Sequence, residues 1–183
     1  MAETVPDLPF HRVECVAPFT NVGIDFAGPF CLKESVYKSV KSCNKFHICL
    51  FVRCTSRAVH LEISYDLTTS AFISCFSRFI GRRGCPSLVI SDNAKTFKSS
   101  SKLLAYKING LQNSDELNNN FIHLNVEWQF IVERAPWWGG FYERLVKTVK
   151  DCIKRVIGRS LLNYFEFETL LIQVESVVNN RPI

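Results

Sequence analysis

Three acids stand where a carboxylate is costly to keep idle. In "VGIDFAGPF", Val22, Ile24 and Phe26 alternate along a strand pattern that Gly28-Pro29 ends, and Asp25 falls on the opposite face with no basic residue between Thr20 and Leu32. A buried carboxylate without a partner shifts its pKa, pairs, or binds a metal. Asp92 closes the apolar run "SLVISDN", which reads as a buried parallel strand with its acid at the carboxyl end, where open α/β sheets place their ligands. Glu143 falls in the first turn of an amphipathic helix expected over 141–157, where the macrodipole favours an acid.

The first strand of such a sheet usually lies centrally, beside the strand that follows the first helix, so Asp25 and Asp92 are expected to be neighbours. Two unneutralised carboxylates a few ångströms apart repel strongly, and a divalent cation resolves the repulsion. Oxygen donors without His or Cys suit Mg²⁺ or Mn²⁺. Glu143, Lys147, Lys150 and Lys154 recur at i, i+4, i+7 and i+11, one stripe carrying an acid followed by three cations. Such a stripe sets phosphate-binding lysines beside a metal ligand. Ahead of it, Gly139-Gly140 can flex, and Trp137 and Trp138 could stack or wedge against bases.

Each residue also has a plainer role. Asp25 alone suits a hydrogen-bonded turn, and Asp92-Asn93 a helix cap. Glu143 with Lys147 makes an ordinary surface pair worth about 0.2–0.5 kcal/mol. The lysines suit a solvated face, Trp137 and Trp138 suit packing, and Trp128 belongs to the core. What favours the three-carboxylate reading is context: strand, then strand end, then helix start.

The elements that must position these residues follow from periodicity. Residues 1–18 carry three prolines and read as an extended lead-in. Strands are expected at 20–27, 46–53 and 57–64, the last two joined as a hairpin. A helix follows, with Thr68/Thr69 as cap candidates and Gly84 as its stop. After the strand of "SLVISDN" come a helix near 96–107, a polar loop, a fifth strand at 126–131, the loop "ERAPWWGG", the basic helix, and a last helix over 165–178. Leu145, Val146, Val149, Ile153, Val156 and Ile157 form the apolar side of the basic helix. This order describes an α/β fold, one mixed sheet flanked by helices, in a single domain over 19–183.

Composition narrows the class. The 183 residues are 47% hydrophobic and 13% aromatic, a globular balance. The net charge of +5 is concentrated: Glu143 to Arg159 hold six cations against two acids, a better sign of nucleic acid than overall charge. Eight cysteines without a C-x-x-C pair and four histidines without ligand spacing offer no zinc site. The cysteines read as reduced thiols of a soluble, intracellular chain, with no span for a membrane.

Taken together, "VGIDFAGPF", "RAVHLEIS", "FIGRRGCPSLVISDNAKTF" and "WQFIVERAPWWGGFYERLVKTVK…NNRPI" resemble the integrase catalytic core of retroviruses and long-terminal-repeat retrotransposons, nearest to the BEL/Pao branch. The resemblance covers residues 7–183 and implies a ribonuclease-H-like fold with five strands. It implies an Asp-Asp-Glu trio at Asp25, Asp92 and Glu143, two Mg²⁺ or Mn²⁺ ions, and metal-dependent 3′ processing and strand transfer of DNA. Lys147 and Lys150 fall on lysines that touch DNA in relatives, and Asn93, on the residue after the second Asp, is expected with them among the DNA contacts. DNA and further copies of the chain are the implied partners, and the nucleus, otherwise the cytoplasm, the implied location.

Ala94 departs from the Gly usual in relatives, and the 51 positions from Asp92 to Glu143 exceed the retroviral interval. Relatives carry a zinc-binding domain upstream and a DNA-binding region downstream, and continue past "NNRPI", so a truncated core is expected. Two other readings stay open. A ribonuclease H would need further acids, for which Glu62 and Asp66 are the candidates and are poorly placed. A catalytically silent, retrotransposon-derived DNA-binding or assembly remnant would keep the fold without the reaction.

Overall fold

The computed structural model describes residues 13, 16–33, 43–110, 126–131, 136–158 and 160–181. The elements are β1 (Asn21–Lys33), β2 (Cys43–Arg53), β3 (Val59–Ser64), α1 (Thr69–Arg83), β4 (Leu88–Ser91), α2 (Lys95–Gly110), β5 (Glu127–Phe130), α3 (Pro136–Ile157) and α4 (Tyr164–Asn179). The strands form one sheet in the order β3-β2-β1-β4-β5. β3, β2 and β1 pair antiparallel, whereas β1, β4 and β5 run parallel. The expected five-stranded mixed sheet is present with β1 at its centre. Most of the lead-in and the polar stretch 111–125 lie outside the described residues.

β1 does not end at Gly28-Pro29 as the sequence suggested. Its register with β2 slips between Ala27 and Phe30, and the strand continues to Lys33. Gly28 makes the slip possible. Its φ is 144°, and a Cβ there would meet His47 Cδ2 at 2.9 Å and the Phe46 carbonyl at 3.1 Å.

Alternation along β1 sorts the two cores. Val22 and Ile24 face a cluster with Phe72, Phe76 and Phe79 of α1 and Phe97 of α2. Ala27, Leu50 and Ile90 face the other layer, built by α3 and α4. α1 starts at Thr68, whose hydroxyl accepts the Ala71 N–H at 3.3 Å, and stops at Gly84 with φ 89°. α4 opens with a capping box of Asn163 and Glu166.

Three sequence expectations need correction here. α3 begins at Pro136, so Trp137 to Gly140 are helical rather than a loop. Proline suits the first helical position, where its missing N–H costs nothing. Val156 is 66% exposed, and the buried stripe of α3 begins instead at Tyr142 and runs through Leu145, Val146, Val149 and Ile153. Cys31 is disulfide-bonded rather than a thiol, whereas Cys49, Cys75, Cys85 and Cys152 are free thiols.

A polar cluster joins β3 to α1 and α4. Glu62, 4% exposed, accepts from Arg78 Nε at 2.6 Å and Arg82 Nη1 at 2.8 Å, and lies 3.0 Å from His60 Nε2. His60 Nδ1 lies 3.4 Å from Glu175 of α4, which also holds Arg83 and accepts the Leu61 N–H. Nδ1 also lies 3.3 Å from Arg83 Nε, a contact that serves only the neutral ring. Asn179 completes the seam, accepting the Val59 N–H at 2.7 Å and donating to the Val59 carbonyl at 2.9 Å.

Burial opposes charge on His60, but hydrogen bonds to Glu175 and Glu62 and their charges outweigh it, so its pKa is raised above 6.5. Burial likewise opposes the charge of both glutamates, yet their cationic partners bring each below 4.5. The histidine contribution is complete below pH 6.5 and is lost as pH rises through its raised pKa. The carboxylate contribution is complete above pH 4.5 and is lost as pH falls. Glu62→Gln is expected to cost about 2–3 kcal/mol, limited because Arg78 and Arg82 stay partly in water. Urea unfolding of variant and wild type should differ most between pH 4.5 and 6.5, and a difference independent of pH would exclude the charged arrangement.

Candidate active site

The parallel pairing of β1 with β4 matches Ile24 to Ser91. One step further brings Asp25 opposite Asp92, on strands about 4.8 Å apart. Because alternation puts Ile24 in the α1 layer, Asp25 faces α3, as does Asp92, two residues after Ile90. The expected neighbours therefore meet where β4 ends beside the first half of β1, on two central parallel strands.

Asp25 is half-buried, and its Oδ1 accepts the Phe26 N–H at 2.7 Å. Its pKa is raised from 3.8 to about 6. Burial is the largest cause, opposed by the Phe26 hydrogen bond, and the charges of Asp92 and then Glu143 raise it further. Lys150 offsets part of the rise, so one lysine of the basic stripe does reach the field of Asp25.

Asp92 is held by the turn that follows β4: its Oδ1 accepts the Ala94 N–H at 3.0 Å. Its carbonyl accepts the hydroxyl of fully buried Ser91 at 3.1 Å, and Trp128 Nε1 donates to that hydroxyl at 2.9 Å. Trp128 packs with Phe72, Phe76 and Phe97, in the core as expected. Asn93 Nδ2 donates to the Ile131 carbonyl at 2.6 Å.

Glu143 is exposed on α3, two turns from its start rather than in the first turn, so the macrodipole argument made for it fails. Its neighbour Tyr142 is 1% exposed. Burial, then the charges of Asp25, Asp92 and Glu143, hold the Tyr142 phenol firmly protonated. Tyr142 thus shares one electrostatic field with all three acids. Sequence reading missed it, although it continues the apolar stripe of α3 one step back from Leu145 at helical spacing.

Lys147 and Lys154 are exposed and Lys150 is partly buried. Gly140 has open space where a Cβ would stand, so no packing demands a glycine there. The side chains of Trp137 and Trp138, and the surroundings of Gly139, lie outside the described residues. Glu62 sits on the opposite sheet face from Asp25, bound to His60 and arginines, and Asp66 caps Thr68. Neither joins the three acids.

Among the described residues, no three His, Cys, Asp or Glu side chains form a group that could hold a metal ion as they stand. Asp25, Asp92 and Glu143 share a field without forming a coordination shell. The donor set nevertheless fits a hard cation, because every candidate ligand is a carboxylate oxygen and their mutual repulsion already destabilises the ionised form.

No protein-family model matches the chain, and no curated protein matches it. Solved structures do. A chain of the simian T-cell lymphotropic virus intasome, determined with the PP2A regulatory subunit B56 gamma, has a TM-score of 0.61 at 16% identity, over 94% of this chain and 52% of that one. The HTLV-2 integrase catalytic core domain, determined with magnesium, has a TM-score of 0.57 at 15% identity, covering 91% and 90%. The BIV integrase catalytic core has a TM-score of 0.59 at 17% identity, covering 90% and 86%. The chain therefore spans about half the length of the simian viral chain and most of the two separate cores. The fold is that of an integrase catalytic core, ribonuclease-H-like.

The raised pKa of Asp25 has a measurable sign. Its protonated form suits the fold, so stability is complete below pH 3.8 and is lost as pH rises through about 6. Without metal, Asp25→Asn is expected to exceed wild type by up to about 3 kcal/mol at pH 8, and by almost nothing at pH 3.5. Chemical denaturation in chelator at both pH values checks this. Equal stability at pH 8 would mean that Asp25 ionises there at no cost.

Proposed function

We propose that this chain is the catalytic core of an integrase-type enzyme that cuts and joins DNA by polynucleotidyl transfer. The observation that carries the reading is the placement of Asp25 on β1 beside Asp92 at the carboxyl end of β4, within the field of Glu143. The likeness in fold to the HTLV-2 core, determined with magnesium, supports it. So does the intasome that contains the simian viral chain. The sequence motifs alone favour the BEL/Pao branch. Nuclear action follows from a DNA substrate.

Asp25, Asp92 and Glu143 would hold Mg²⁺ or Mn²⁺, two ions by analogy. Bound there, the metal supplies positive charge that neutralises the three acids and favours deprotonation of a water or a 3′-hydroxyl. The chain's own residues do the rest. Lys147, Lys150 and Lys154 attract the phosphodiester backbone along one side of α3, which fixes the strand's register without reading its bases. Lys150, nearest in effect to Asp25, directs that backbone toward the acids. Tyr142, buried on α3, stays neutral within their field. Trp137, Trp138, Gly139 and Gly140, in the helical turns that precede Glu143, complete the proposed DNA-binding set, the tryptophans by stacking on bases. Catalysis of this kind is positioning and electrostatics.

Assembly into a homo-oligomer on DNA is part of the proposal. Among the described residues, no helix is long and apolar enough to cross a membrane. The alternative, a catalytically silent DNA-binding remnant, is favoured by one observation: the acids as placed do not form a closed metal-binding group.

Calorimetric titration of Mg²⁺ or Mn²⁺ into wild type and Asp92→Asn, with DNA nicking and joining read in parallel, separates the two. Metal binding by wild type alone with metal-dependent cleavage is expected; no binding by either protein would leave the remnant. Asp25→Asn, Asp92→Asn and Glu143→Gln are each expected to lower the rate at least about 10²–10³-fold while the folded state persists on melting. Lys147→Ala and Lys150→Ala should each reduce the slope of log affinity against log salt by about 0.9 on duplex DNA, at every sequence tested. An unchanged slope would remove that lysine from the DNA path.

A further inference from the structure

Parallel strands bond by a fixed rule: a residue on one strand sends its N–H to the residue before its partner and accepts the N–H of the residue after it. β4 and β5 obey it. Glu127, paired with Leu88, donates its N–H to the Ser87 carbonyl at 2.8 Å. Ile131 comes opposite Asp92 when the register of Ser91 with Phe130 is extended by one, and it donates to the Ser91 carbonyl at 3.0 Å. The matching bond into the Ile131 carbonyl should come from the backbone N–H of Asn93. It comes instead from the Asn93 side chain, at 2.6 Å.

The substitution has a physical reason. After Asp92 the chain leaves the sheet, because the Asp92 carboxylate takes the Ala94 N–H at 3.0 Å and bends the backbone into the start of α2. A strand that turns away leaves its neighbour's carbonyl without a donor, and a partly buried carbonyl left so is costly. An asparagine side chain carries the same amide as the backbone, and here it reaches back to close the ladder. The rung centred on Asp92 is complete on both sides although the strand has already ended.

We infer that Asn93 is a positioning residue, whose side-chain amide replaces a backbone rung to fix Asp92 against the β5–α3 connection. The inference rests on the reading of Asp92 as a metal-holding carboxylate. Ile131 directly follows β5, and the chain passes from it to α3 and Glu143. Asn93 therefore ties the turn bearing the second acid to the segment that leads to the third. The Trp128–Ser91–Asp92 chain of hydrogen bonds braces the same turn from behind. This role differs from the DNA contact that the sequence resemblance attached to Asn93. One N–H of the amide is committed inside the protein, and the group acts through Asp92.

Three measurements on Asn93→Ala decide between the roles. Metal-free hydrogen exchange is expected to rise about fivefold at the amides of Ala94 and Ile131, the loss of one hydrogen bond, and to stay unchanged in β1. Calorimetric Mn²⁺ affinity should fall about 10–100-fold, as when a residue supporting a ligand is removed. Duplex affinity in chelator should match wild type. Asn93→Gln, with its amide one methylene longer, should recover part of the exchange protection and part of the Mn²⁺ affinity, and it serves as the test variant if Asn93→Ala does not fold.

Wild-type exchange and Mn²⁺ affinity with weakened metal-free DNA binding would overturn the inference and make Asn93 a DNA contact. If wild type binds no Mn²⁺, the metal reading of Asp92 fails separately. Exchange then decides the rung alone: faster exchange upholds it and unchanged exchange overturns it.

Discussion

Two carboxylates on adjacent central strands, a strand spacing apart, are the constraint around which this fold is arranged. The parallel pairing of β1 with β4 creates it, and the half-apolar α3 layer above withholds the water that would soften it. Its magnitude is visible in Asp25, whose acid is lifted to about 6 chiefly by burial. Everything near the pair reduces or redirects this cost. The Phe26 N–H and Lys150 lower it at Asp25, and the Ala94 N–H steadies Asp92. The remaining unfavourable charge is what a hard cation would relieve.

The other face of the sheet meets the same difficulty in the opposite way. Glu62 is more deeply buried than Asp25, yet its pKa is lowered, because Arg78, Arg82 and His60 supply the compensating charge from within the chain. One face is thus electrically complete, and its ion pairs bind α1 and α4 to β3. The other is left incomplete. That contrast separates structural acids from candidate functional ones more sharply than burial alone, since both kinds are removed from water.

Much of this was legible in sequence. The alternation of Val22, Ile24 and Phe26 gave the orientation of Asp25, and the apolar run before Asp92 gave a parallel strand, so their proximity followed from topology. The threonine at 68 and the glycine at 84 marked the ends of α1. The failures were local. Pro136 read as a loop residue because a proline before two tryptophans and two glycines resembles punctuation, whereas its ring suits the first turn of a helix. That error carried Glu143 into a first turn it does not occupy. Tyr142 was passed over because its neighbour carried the charge. The bond from Asn93 to the Ile131 carbonyl could not have been read, since a side chain that completes a backbone ladder leaves no periodic trace.

Asn179, the first asparagine of "NNRPI", gives the seam between α4 and β3 a further consequence. β3 is the edge of the sheet, and an edge strand presents N–H and C=O groups that can template another chain. The amide of Asn179 takes both polar groups of Val59, and Glu175 takes the N–H of Leu61, so the helix occupies the places a sixth strand would use. Over Val59 to Leu61 the border is sealed by two side chains. Copies of the chain gathered at high local concentration therefore meet a helix, and not an open row of backbone groups, along that stretch of the edge.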